Sequence, residues 1–230
     1  MDNSLSAYTQ KYEKEGYGLQ YPDGHVIRFY ERILKYKLNK TSGNLLDFGC
    51  GNGVHSKYLQ DITGGGGYKA YGLDIVPSLK EIWERDPKLN SNNFHVITPN
   101  SSIKNLFNVK MDLILANQSL YYLPFESFKQ TVQELYDICN EGAIIFATMM
   151  SDKGYSMYER GEIMENGLCE VKECPSGRLS GSSFIRFTKD IEELKEDFKP
   201  FKPLFWGDYE LINLYNFEGS VQHFIYIGQK

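Results

Sequence analysis

The chain has 230 residues, 41% of them hydrophobic and 24% charged, enough to fill the core of one large domain without a disulfide or metal staple. A formal net charge of −5 argues against a general affinity for nucleic acid or anionic membrane. MDNSLSAYTQ at the start is not a signal-peptide pattern, no apolar run approaches the roughly 20 residues of a membrane span, and the cysteines at 50, 139, 169 and 174 form no C-x-x-C pair. A cytoplasmic protein with free thiols and no metal site is expected.

Apolar residues Val26, Ile27, Tyr30, Ile33, Leu34 and Leu38 recur at helical spacing and predict an amphipathic helix over 25–38. A short apolar strand, 43–48, then runs into the turn DFGCGNG, and 54–62 reads as a helix stopped by TGGGG. A second strand over 68–73 ends in Asp74. The helix over 77–85 carries proline in its first turn, where a missing N–H costs little. Strands over 94–98 and 111–116, a helix over 126–139 and a buried strand over 142–149 complete an alternation with long crossovers. That alternation predicts an open, doubly wound α/β sheet.

Beyond Met150 the rhythm changes. Residues 151–185 are polar and glycine-rich with no clear core pattern, and so long a stretch reads as a lid or binding loop. A helix capped by Thr188 and running to Phe198 comes next, then two strands in FKPLFWGDYELINLY and VQHFIYIGQK joined through NFEGS. The whole of 1–230 is expected to form one domain, with 1–40 a cap segment and 151–187 an inserted lid.

Three ligands compete for DFGCGNG. A dinucleotide fingerprint wants glycine where Val54 stands, and a phosphate-binding P-loop wants Lys and Ser or Thr after its last glycine, where Val54 and His55 stand. The remaining pattern, [DE]-x-G-x-G-x-G, is matched by Asp47, Gly49, Gly51 and Gly53. It resembles the first motif of class I S-adenosylmethionine-dependent methyltransferases. Glycines let the backbone approach a ligand, turn N–H groups can receive a carboxylate, and an acid at the strand end can favour an ammonium.

Further segments resemble the same family. Asp74 stands where an acid accepts ribose hydroxyls, a role that fits a nicotinamide cofactor equally well, and Ile75 follows it. SSIKNLF resembles the adenine-holding segment, with Ser102 in place of the usual acid and Ile103 offering a backbone N–H. MDLILANQSLYYLP is similar to the fourth-strand motif, which puts Asn117 and Gln118 on the methionine side of the cofactor and Tyr121 and Tyr122 near methyl transfer. The tyrosines are equally open to core packing. The resemblance implies a seven-stranded, mostly parallel Rossmann-like sheet with an antiparallel last strand, a helical cap and a lid. Cys50 is read as a small residue filling the turn.

Methyl transfer from a sulfonium needs alignment above all, and an alcohol acceptor also needs a base within reach. GYGLQYPDGHVIRFYER supplies candidates: His25 as base, Tyr17 and Tyr21 to cover the cofactor, Arg28 for its carboxylate. Asp23 as a helix cap, His25 as a solvated first-turn residue and Arg28 on an exposed face are the plainer alternatives. His55, His95 and His223 are read as structural. In the lid, Tyr155, Tyr158, Arg160, Arg178 and Arg186 are candidates for an anionic or hydroxylated acceptor. The expectation is transfer to oxygen or nitrogen of a small molecule, in surface-polysaccharide or secondary metabolism, by a monomer or homodimer. A nicotinamide-dependent oxidoreductase and a non-catalytic cofactor-binding module are the alternatives.

Overall fold

The structure, a computed structural model, describes residues 9, 20–62, 67–98, 101–153, 158–173, 182–212 and 220–230. Helix α1 (Gly24–Arg28) continues as a π-helical segment, Phe29–Lys35, and β1 (Gly43–Phe48) follows. Next come α2 (Val54–Asp61), β2 (Tyr68–Asp74), α3 (Leu79–Arg85), β3 (Phe94–Val96), β4 (Met111–Ala116), α4 (Phe125–Asp137) and β5 (Cys139–Met150). The chain then forms β6 (Tyr158–Ile163), β7 (Cys169–Glu173), β8 (Ser182–Ile185), α5 (Ile191–Asp197), β9 (Lys202–Ile212) and β10 (Ser220–Gln229).

Seven strands make one sheet in the order β3-β2-β1-β4-β5-β10-β9. The first five run parallel, and β10 is antiparallel to both β5 and β9. Both faces are covered, which is why β1, β4 and β5 read as apolar runs rather than alternating ones. Side chains nonetheless alternate between two cores: Leu46, Ile114, Ile145 and Ala147 meet α4, while Leu45, Leu113, Ile144 and Phe146 meet α1 and α2. Helix α4 buries Phe128, Val132 and Leu135, each contributing about 1.5–3 kcal/mol; Leu135→Ala is expected to cost about 2–5 kcal/mol.

The sequence order reverses between β2-β1 and β4-β5. The crevice between β1 and β4, outside their C-terminal ends, is therefore the topological switch point where such sheets bind ligands.

Two expectations are corrected. The stretch after Met150 holds a three-stranded antiparallel sheet, β6-β7-β8. Its buried side is carried by Cys169 and Val171 of β7 and Ser183 and Ile185 of β8, a pattern easily lost among glycines and charges. Thr188 does not cap α5. Its N–H donates to Met150 C=O at 2.8 Å and it bridges Ser151, while Asp190 caps the helix through Oδ1 to the Glu193 N–H at 2.9 Å.

Candidate active site

The glycine turn takes a left-handed backbone at Gly49, Gly51 and Gly53, with φ of 74°, 52° and 73°. At Gly49 glycine is required twice over, since a Cβ there would lie 2.5 Å from Ser119 Cβ. That contact brings the loop after β4 against the turn after β1. Ser119 Oγ is buried there and has no hydrogen-bond partner among the described residues. Asp74, at the end of β2, accepts from the Gly51 N–H at 2.9 Å and the Val76 N–H at 3.1 Å. Burial raises its pKa, and those backbone bonds oppose the rise.

Across the crevice, Asn117 follows β4 and gathers the N-terminal segment. Its Nδ2 donates to Asp23 Oδ2 at 2.8 Å, and its Oδ1 lies 2.7 Å from His25 Nε2. Asp23 also reaches α2: its N–H donates to His55 Nε2 at 3.3 Å, and Oδ2 stands 3.5 Å from the same nitrogen. The His25 ring stacks on Tyr209 of β9 with centroids 4.2 Å apart, and Tyr209 stacks in turn on His223 at 5.0 Å. Gln118 Nε2 donates to the Tyr209 hydroxyl at 3.2 Å, and the Gln118 N–H donates to Thr148 Oγ1 at 2.7 Å. Burial lowers the His25 pKa, partly offset by Asn117 and Asp23, so the ring is neutral near pH 7 and able to take a proton. Asp23 titrates below its ordinary value: burial pushes it up, but the bond and charge of His55, the charge of His25 and the bond from Asn117 outweigh that.

A family profile described as a methyltransferase domain matches residues 20–176, a span that holds the turn and Asp23, His25, His55, Asn117, Gln118 and Thr148, while Tyr209 and His223 lie beyond it. The chain belongs to the class I S-adenosylmethionine-dependent methyltransferases. Solved structures agree on the fold. A SAM-dependent methyltransferase from Methanosarcina mazei is 19% identical, covering 85% of this chain and 97% of that one, with a TM-score of 0.61. N-methyltransferase NodS from Bradyrhizobium japonicum, in complex with S-adenosylhomocysteine, is 11% identical over 100% and 99%, with a TM-score of 0.60. The 1,6-didemethyltoxoflavin-N1-methyltransferase of Burkholderia thailandensis is 14% identical over 90% and 79%, with a TM-score of 0.55. No curated protein matches the chain in sequence.

The methyltransferase cofactor fits what is present. The turn's glycines carry no side chains of their own, an acid closes the end of β2, and an orphaned hydroxyl lies beside the turn. Asp47 stands behind this surface rather than on it. It is buried, accepts from Ser56 Oγ at 2.7 Å, and burial raises its pKa against the opposing influences of His55 and Ser56. Cys50 is buried beside Trp83, which donates from Nε1 to the Gly51 C=O at 3.3 Å; burial raises the thiol pKa well above its usual value, leaving it unreactive. Ile75 is half-buried against the core, and Ser102 is exposed.

Other candidates need correction. The Ile103 N–H donates to Glu134 Oε2 at 2.8 Å and the residue is buried, so it does not present that N–H to an adenine. Arg186 is buried too. Its guanidinium forks onto Asp197 at 2.6 and 2.7 Å, reaches Glu193 at 3.3 Å and lies over Phe128, which leaves no free charge for an acceptor. Tyr21 is 78% exposed and Arg28 is exposed, so neither closes on the turn here. Asp23 makes no side-chain cap on α1; its carboxylate belongs to the cluster.

Tyr121 is buried, tilted against Tyr122 with ring centroids 4.5 Å apart and against His223 at 5.9 Å; its C=O accepts from the Arg186 N–H at 2.7 Å. Tyr17, Tyr155 and Arg178 lie outside the described residues, as do the side chains of Tyr158 and Arg160, whose backbone is in β6.

Sequence reading missed Asp23, His55, Thr148 and Tyr209 as members of the site. Thr148 alone left a signal, a lone hydroxyl in the apolar run AIIFATMM. Among the described residues no cluster of three or more His, Cys, Asp or Glu is arranged to hold a metal, and no helix is long and apolar enough to cross a membrane.

Proposed function

We propose that this methyltransferase transfers a methyl group to an oxygen or nitrogen atom of a small molecule, with His25 as the base that takes the acceptor's proton. The observation that carries this reading is an imidazole pinned between Asn117 and Tyr209, beside the loop that touches the glycine turn, with burial lowering its pKa. S-adenosylmethionine supplies an electrophilic methyl group on a sulfonium. The chain's part is to hold and align: the turn's backbone and Asp74 on the nucleoside side, Asn117 and Gln118 on the amino-acid side, with Tyr121 and Tyr122 beside the transfer point. The three-stranded sheet is read as the acceptor-side lid, since Arg186 ties its last strand to the Tyr121 carbonyl.

An acidic chain supports a small-molecule acceptor over nucleic acid. A cytoplasmic setting in surface-polysaccharide or secondary metabolism rests on fold-level analogy, as with the nitrogen-directed neighbours described above. Calorimetric titration with S-adenosylhomocysteine and with NAD tests the cofactor side: saturable binding of the first alone is expected, and binding of NAD alone would overturn it. Labelled methyl transfer across alcohols and amines tests the acceptor side, with His25→Gln expected to lower kcat on an alcohol by roughly 100-fold or more.

A further inference from the structure

We propose that Asp23 and Asn117 are positioning residues that hold His25 in the Nε2–H tautomer, so that Nδ1 is the nitrogen that receives the acceptor's proton. This rests on the reading of His25 as the base and specifies which atom of it works.

The assignment follows from donor and acceptor counting. Asp23 is a carboxylate, and a carboxylate only accepts. The end of the Asn117 amide facing it, 2.8 Å away, must therefore be the NH2. The opposite amide orientation would set two acceptors against each other with no proton between them. With Nδ2 committed, the carbonyl Oδ1 is the end that meets His25 Nε2 at 2.7 Å. That distance needs a proton, and the amide oxygen has none, so Nε2 carries it. A neutral imidazole has one N–H, which leaves the lone pair on Nδ1. Nδ1 takes no hydrogen bond from the described residues.

Two neighbours agree with this direction of donation. Thr148 Oγ1 accepts from the Gln118 N–H at 2.7 Å, which turns its own proton toward Asn117 Oδ1 at 3.4 Å. A carbonyl has two lone pairs and can take both donors. Tyr209 covers one ring face at an interplanar angle of 23° and is itself held by Gln118 Nε2, so the imidazole cannot turn without moving β9's side chain.

The step governed by this arrangement is one proton transfer. An O–H or N–H bond of the acceptor breaks and an Nδ1–H bond forms; the electron pair left behind would take the methyl group as the sulfonium–carbon bond breaks, its electron pair staying on sulfur to leave a neutral thioether. The ring then carries one positive charge. Nε2–H stays bonded to Asn117, and the Asp23 carboxylate, 4.0 Å from Nε2, stabilises the new cation. His55 faces the other side of Asp23, and Arg28 is the opposing positive charge on the same helix.

The test is spectroscopic and needs no acceptor. Long-range 1H–15N spectra of the full 15N-labelled chain, with S-adenosylhomocysteine bound, report the tautomer of each of the four histidines; His25→Gln assigns the signal. Wild type is expected to show a pyridine-like Nδ1 and a pyrrole-like Nε2 for His25. Asp23→Asn, which removes the group that orients the amide, should shift the tautomer ratio from roughly ten to one or more toward parity. An Nδ1–H ring in wild type, or an unchanged ratio in folded Asp23→Asn, would overturn the assignment. Full methyl transfer by His25→Gln would instead overturn the reading of His25 as base, while the tautomer assignment stood.

Discussion

The two sides of the crevice are built by different means. On the β1–β2 side the surface is mainly backbone: left-handed glycines, N–H groups of a turn, and one carboxylate fixed by that turn. Its contacts are short in sequence, 23 residues from Gly51 to Asp74 and 9 from Ser56 to Asp47. On the β4–β5 side the surface is side chain, assembled from segments that meet only on folding. Asn117 reaches 94 residues back to Asp23, and Gln118 reaches 91 forward to Tyr209. A backbone cradle suits a ligand common to a whole family; a side-chain constellation suits an acceptor peculiar to one member.

The largest effect is expected from Arg186, which anchors the three-stranded sheet to the acceptor side. Arg186→Ala strands the buried Asp197 carboxylate without its partner and should cost about 3–5 kcal/mol in urea denaturation. Arg186→Met combined with Asp197→Leu should recover most of that loss, because burying an apolar pair is no worse than burying an ionic one. A loss under about 1 kcal/mol for Arg186→Ala would mean that the sheet is held by other contacts.

Gly49→Ala strikes the cofactor side first and reaches the loop after β4 only through Ser119. The left-handed φ costs an L-residue about 1–2 kcal/mol, and the new Cβ must displace Ser119. Affinity for S-adenosylhomocysteine should fall by roughly 30- to 100-fold, with the His25 tautomer unchanged. Asp74→Asn is milder. It exchanges two charge-assisted backbone bonds for neutral ones, and a weakening of roughly tenfold is expected in the same titration. Equal losses for a nicotinamide ligand would be the result that removes the distinction between the two cofactors.

This asymmetry decides what could be read from the sequence. The strand order through β5 and the closing hairpin were legible because each rests on local apolar runs and turn residues, and the glycine turn because its pattern is contiguous. Asp23 looked like an ordinary helix cap and Tyr209 like any tyrosine in a strand, since nothing local marks a residue whose partner is some 90 positions away. Arg186 misled for the converse reason. An arginine after a polar loop invites an anionic ligand, and only the fold shows that Asp197, one helix further on, already supplies the anion. Ile103 is the same case in the backbone, its N–H taken by Glu134 of α4.

The smallest effect comes from pH and bears on the acceptor side alone. Burial holds the folded His25 pKa below the ordinary 6.5. Above 6.5 the ring is neutral in folded and unfolded chains alike, so stability is at its full value. As pH falls below 6.5 the unfolded chain takes up a proton that the folded ring refuses. Stability then declines, by at most about 1.4 kcal/mol per pH unit for one site, until the folded pKa is passed and the slope vanishes. His95, lowered by burial as well, adds a parallel slope, and Asp23, held below its ordinary 3.8, adds another only in stronger acid. The informative quantity is therefore the difference between wild type and His25→Gln in denaturation midpoints from about pH 7.5 to about pH 5. Wild type should lose more stability over that range. Identical slopes would mean that the folded ring protonates as easily as the free one, and a ring so easily charged would have no lone pair on Nδ1 to offer at the lower end of the range.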